Sequence, residues 1–88
     1  MTPVVRLIGA GGCHLCETAE RILEAARAEQ PFTFERIDIG GDTELERRYR
    51  ERIPVVEIDG EEAFVYFVHP DALHERLAAA SSTLPPLR

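Results

Sequence analysis

The sequence predicts one small α/β domain built on a mixed four-stranded sheet, its elements running β-α-β-α-β-β-α. Three observations carry that expectation. A β-branched run at Val4 to Ile8 leads into a stretch with helical apolar spacing. A second run, Phe32 to Ile39, leads into a shorter helical stretch. Asp59-Gly60 then separates two further apolar runs by a two-residue hairpin signal. A helix between two strands implies a right-handed parallel crossover, and the hairpin adds an antiparallel edge.

Each element has its own signal. Val4 to Ile8 reads as a buried strand that Gly9 stops. Gly11 and Gly12 form a flexible approach to Cys13. Leu15, Ala19, Ile22, Leu23 and Ala26 then recur at helical spacing, with Glu17, Glu20, Arg21, Glu24 and Arg27 on the other face. This helix ends before Pro31. After the second strand Gly40 and Gly41 break the chain, and Thr43 with Glu46 fits a capping box opening a short helix to about Arg52. Pro54 to Ile58 and Ala63 to Val68 are the paired third and fourth strands. Pro70 suits the first turn of the last helix, and Leu73 and Leu77 give it a buried stripe. The expected domain covers residues 1–80, and residues 81–88, SSTLPPLR, read as a mobile tail.

Bulk composition narrows the function classes. The chain has 88 residues, 44% hydrophobic and 30% charged, an ordinary balance for one compact domain. Its net charge is −6 and all ten bases are arginine. An acidic chain with scattered arginines lacks the positive footprint that nucleic acid requires. No apolar run approaches the roughly 18 residues of a membrane helix. VVRLIGAGGC ends in small residues before a cysteine, but Arg6 interrupts an apolar stretch too short for a secretory leader. The expectation is a cytoplasmic protein with neither nucleic acid nor membrane as partner. In a reducing compartment a close cysteine pair is catalytic or metal-binding more often than structural.

Cys13 and Cys16 are the only cysteines. Helical geometry sets alpha carbons three positions apart at roughly 5 Å, inside the about 4.4–6.8 Å that a disulfide tolerates. The pair can open and close with little backbone change. Cys13 falls at the first helical turn, where unpaired N–H groups and the positive dipole end favour a thiolate, the form that attacks disulfides. Cys16, one turn inside, is more shielded. The expected division of labour is Cys13 as nucleophile and Cys16 as resolving thiol. Other readings stay open. A structural disulfide this short would constrain little. A zinc site needs four ligands, so two of His14, His69 and His74 would have to join the cysteines.

A C-x-x-C directly after a strand, opening a helix in a β-α-β context, points to the thioredoxin-like redox arrangement. The strand, GCHLCE, the long helix, and IPVVEIDGE at Ile53 to Glu61 resemble the glutaredoxin-like branch of the thioredoxin superfamily, and more narrowly the small bacterial glutaredoxin-like domain proteins. The resemblance spans roughly residues 3–80 and implies a thioredoxin-like three-layer fold. It implies that Pro54 is cis and packs beside the reactive cysteines, and that the Ile53 backbone pairs with an extended substrate. Glutathione-using members commonly carry Pro-Tyr between the cysteines, a lysine before them, and Gly-Gly with an acid before the last helix. This chain has His14-Leu15, Gly11-Gly12 and VYFVHPDAL in those places. These departures argue against glutathione as substrate or cofactor, and against the glutathione-ligated iron–sulfur cluster of some glutaredoxins.

The expected activity is thiol–disulfide exchange with a protein or low-molecular-weight thiol or disulfide as partner, no bound cofactor, and a monomeric chain. A metal-binding module or a non-catalytic interaction domain are the alternatives. His14, when protonated, would stabilise the Cys13 thiolate. Glu17 complements the helix dipole. His69 and His74 receive no role at the site. Arg47, Arg48, Arg50 and Arg52 read as a solvated helix face paired with Glu44, Glu46 and Glu51.

Overall fold

The computed structural model describes residues 2–81. The elements are β1 (Val4–Gly9), α1 (His14–Glu29), β2 (Thr33–Asp38), α2 (Thr43–Tyr49), β3 (Val55–Ile58), β4 (Glu61–Val65) and α3 (Pro70–Ser81). This is the expected order. The sheet runs β2-β1-β3-β4, with β1 and β2 parallel and the β1–β3 and β3–β4 pairs antiparallel. Apart from Ser81, which closes α3, the expected tail lies outside the described residues. None of the described helices is long and apolar enough to cross a membrane.

Strand periodicity sorts the core into two faces. Val5 and Leu7 of β1 and Val56 and Ile58 of β3 are buried against Ala19, Leu23 and Ala26 of α1 and Leu73 and Leu77 of α3. Ile8 and Val55, cross-strand partners, point the other way and pack with Ile39 and Tyr49. Two helices thus cover one face and α2 the other, giving three layers. At seven residues α2 is too short to cover its whole face. Beyond its reach Arg6 sits between Glu35 on β2 and Glu57 on β3, 3.1 and 3.5 Å away.

The structure moves several sequence-expected boundaries. Leu15 is 38% exposed, and Cys16 takes the buried position in the first turn of α1. The cap of α2 is Asp42, one residue before Thr43: its carboxylate accepts the Leu45 N–H at 3.1 Å. Glu46 reaches back to the Gly41 N–H instead of closing a box with Thr43. The helix ends at Tyr49, three residues short of Arg52. β4 begins at Glu61 and stops at Val65, because Tyr66 adopts φ 71, outside the strand region. Arg50 pairs with Glu46 as expected of a helix face, whereas Arg52 crosses to Glu62 on β4.

The hairpin is as its sequence predicts. Asp59 and Gly60 both have positive φ, 53 and 86, as a type I′ turn requires. Asp59 also clips the sheet: its N–H donates to the Val4 carbonyl at 2.8 Å, and its carboxylate accepts the Val4 N–H at 2.9 Å. Asp59→Ala would lose that acceptor and place an alanine in the left-handed region. The expected cost is about 1–2 kcal/mol, read as a lower urea midpoint. Asp59→Asn keeps an oxygen acceptor and tolerates the same φ, so it should stay near wild type. Equal losses in the two variants would show that neither the oxygen acceptor nor the tolerance of positive φ accounts for the cost.

Candidate active site

The site forms where β1 hands over to α1. Gly12, at φ 76, turns the chain from strand to helix, a conformation that favours glycine. Cys13 is the N-cap of α1, with extended backbone at φ −99 and ψ 112. Its sulfur accepts the Cys16 N–H at 3.1 Å, and its carbonyl accepts the Glu17 N–H at 3.0 Å. A sulfur thus occupies the place that a serine or aspartate oxygen fills in an ordinary cap. The two cysteines are joined as a disulfide across alpha carbons 5.2 Å apart. They differ in access: Cys13 is half-buried, and Cys16 is 7% exposed.

Pro54 is buried and the Ile53–Pro54 peptide is cis. Continuing the β1–β3 register one step past Ile8–Val55 sets Pro54 opposite Gly9. Gly9 in turn lies against Cys16: a Cβ built on it would fall 2.8 Å from the Cys16 sulfur. Proline, glycine and the inner cysteine therefore follow one another across the end of the sheet. Ile53 is half-buried, and its N–H donates to the Tyr49 carbonyl at 3.1 Å. The segment after β4 folds onto this loop. The Tyr66 N–H donates to the Pro54 carbonyl at 2.8 Å, and the Tyr66 hydroxyl donates to the Glu51 carbonyl. The Phe67 N–H reaches back to the Val65 carbonyl at 2.8 Å, closing a γ-turn about Tyr66.

The histidines divide differently from the cysteines. The His14 side chain is 99% exposed, and its Nδ1 stands 4.0 Å from the Glu17 carboxylate. His69 is exposed. His74 bonds Gln30 at 2.8 Å and faces Glu29 at 3.5 Å, at the far end of α1. A 16-residue helix is about 24 Å long, so His74 stands far from the sulfurs. Among the described residues no group of three or more His, Cys, Asp or Glu side chains is placed to hold a metal ion.

On the β2 side, an open cleft of about 250 Å³ reaches the Cys16 side chain between Gly9–Gly12 and Glu17, Glu20, Arg36 and Asp38. Arg36 is tied at 2.7 Å to both Glu20 and Glu24, so its charge is neutralised locally. Sequence reasoning names the cysteines, Ile53 and Pro54 as site candidates. It missed Gly9, which reads as a strand stop, and it placed Tyr66 and Phe67 inside a strand. No local signal marks a tyrosine for positive φ.

A family model described as Glutaredoxin-like domain (DUF836) matches residues 4–78. A protein from Nitrosomonas europaea, solved by solution NMR, is 30% identical with a TM-score of 0.75 over 88% of this chain and 93% of its own. A protein from X. campestris, solved by X-ray diffraction, is also 30% identical, with a TM-score of 0.72 over 85% of this chain and 96% of its own. A mutant thioredoxin from Halobacterium salinarum has the same fold at 23% identity, with a TM-score of 0.66 over 94% of this chain and 78% of its own. No curated protein matches.

Proposed function

The chain belongs to the glutaredoxin-like domain family, and from that premise we propose that it is a thiol–disulfide oxidoreductase acting through Cys13 and Cys16. The single observation that carries this reading is the Cys13–Cys16 disulfide at the N-terminus of α1, with Cys13 half-buried and Cys16 buried. In the reduced chain the Cys16 N–H and the helix dipole favour a thiolate at Cys13. That thiolate attacks a substrate disulfide, forms a mixed disulfide through Cys13, and expels one substrate thiolate. The Cys16 thiolate then attacks the Cys13 sulfur and expels the second. The products are a reduced substrate and the internal disulfide, which an external dithiol or two thiols reduce again. Protonated His14 would add positive charge beside Cys13, a charge it shares with Glu17.

The partner we favour is a protein disulfide, with low-molecular-weight disulfides as the other class. Among the described residues large hydrophobic side chains are exposed at Leu15, Tyr66 and Phe67. Leu15 lies between the cysteines, and Tyr66 is bonded to Pro54. An apolar rim of this kind suits a peptide more than a dicarboxylate such as glutathione. With the Ile53 N–H engaged by Tyr49, its carbonyl is the group left to pair with an extended substrate. We propose further that the protein acts as a cytoplasmic monomer.

The test is intact mass of the metal-free protein, equilibrated across a series of glutathione redox buffers. One internal disulfide, a loss of two hydrogens, is expected to form and break reversibly. Thiols that stay reduced throughout, or carry only glutathione adducts, would refute the reading.

A further inference from the structure

Of the six glycines in the chain, Gly9 alone stands against sulfur. Its φ lies outside the left-handed region, which among the glycines holds only Gly12, Gly41 and Gly60. Backbone conformation therefore does not call for glycine at position 9; space does. A Cβ there would stand 2.8 Å from Cys16 Sγ and 3.2 Å from Cys16 Cβ. Both are inside the about 3.5–4.0 Å at which nonbonded carbons rest. At Gly11 and Gly12 the same Cβ would meet nothing within 4 Å. Nor can Gly9 itself retreat. It ends an inner strand in register with Asp38, its carbonyl accepts the Ile39 N–H at 2.9 Å, and the β1–β3 register continued one step sets Pro54 opposite it.

The two contacts respond differently to oxidation. The Cys16 Cβ is fixed by the helix and stays put in either redox state. The Cys16 sulfur beside Gly9 is tied in place by its bond to Cys13; reduction removes that tie and frees the side chain to take another rotamer. A side chain at position 9 would thus penalise the disulfide more than the dithiol. Resting on the oxidoreductase reading above, we infer that Gly9 is a positioning residue that sets the reduction potential of the Cys13–Cys16 couple by leaving room for the oxidised sulfur. The half-reaction is disulfide plus two electrons and two protons giving two thiols. Crowding its oxidised side makes the couple easier to reduce and a stronger oxidant. With glycine in place the disulfide is retained under more reducing conditions.

The experiment measures the midpoint of the couple in full-length wild type and Gly9→Ala, equilibrated with dithiothreitol and its cyclic disulfide. The expected result is a shift of about tenfold or more in the equilibrium constant toward the dithiol, equal to about 30 mV for a two-electron couple. Urea unfolding of both redox forms accompanies it, and Gly9→Ala should lose more stability oxidised than reduced. Should Gly9→Ala fail to fold, the readout passes to Gly9→Ala combined with Cys16→Ala. With the sulfur gone, that pair should fold, keeping only the smaller cost of the 3.2 Å contact with the Cβ at position 16. An unchanged or opposite midpoint, equal losses in both redox forms, or an unfolded double variant would overturn the inference and leave the oxidoreductase reading standing. A wild-type chain that forms no reversible disulfide would remove both.

Discussion

Serine in place of Cys13 is expected to reduce disulfide exchange to the background of the reagents alone, whereas serine in place of Cys16 is expected to stop it halfway. The asymmetry follows from access and from the helix terminus. Cys13 is the half-buried cap whose sulfur receives the Cys16 N–H. Cys16 is 7% exposed and packs against Gly9. A hydroxyl at position 13 is not ionised at neutral pH and does not attack disulfides. With serine at position 16 the first attack still proceeds, but no thiol remains to release the adduct. Intact mass after mixing with a mild disulfide reagent reads both cases. Cys16→Ser should carry one adduct per chain, released by dithiothreitol and mapped to Cys13. Cys13→Ser should carry almost none in the same time. An adduct that forms at Cys16 in Cys13→Ser, with none at Cys13 in Cys16→Ser, would reverse the assigned roles, and equal rates would abolish the distinction.

The second large effect lies in the core under the site. Leu23 is 0% exposed and belongs to the cluster joining α1, α3 and the sheet. Truncation to alanine removes buried methyl groups and leaves a cavity, at a cost of about 2–5 kcal/mol. Native domains are stable by only about 5–15 kcal/mol, so this is a large share. At about 4–8 °C per kcal/mol for a chain of this size, the melting temperature should fall by about 10 °C or more. Leu15→Ala is the contrast, since Leu15 is 38% exposed. Its cost should stay within about 0.5 kcal/mol. Comparable melting temperatures for the two variants would show that α1 is not seated as described.

The same two residues mark how far the sequence could be read. Helical spacing located α1 and named Ala19, Leu23 and Ala26 correctly as its inner face, because three residues at period 3.6 define a stripe. It set Leu15 at the head of that stripe, where the structure sets Cys16. Leucine is the more hydrophobic, but cysteine is small and among the most buried residue types. The structure turns Cys16 inward and Leu15 out. Local rules were strong where one conformation dominates, as at Asp59-Gly60, at Pro70 in the first turn of α3, and at Cys13 beginning α1. They were weak where two residues compete for one role. Asp42 and Thr43 can both cap, and the chain uses Asp42. The least legible features depend on tertiary contact alone. Tyr66 leaves the strand while donating to Pro54 and Glu51. Gly9 answers to a sulfur seven positions further along the chain.

Because β1 lies inside the sheet, with β2 on one side and β3 on the other, its amides are closed off from solvent along both flanks. Opening of edge structure, such as β4 or the seven-residue α2, breaks fewer buried contacts than opening of β1 and needs less free energy. In amide hydrogen exchange, Val5, Leu7 and Ile8 should therefore rank among the slowest positions, close to the global unfolding limit, while β4 and α2 exchange by smaller local openings. The strand that delivers the chain to Cys13 is thus the last to loosen. Breathing at the periphery leaves the spacing of the two sulfurs undisturbed.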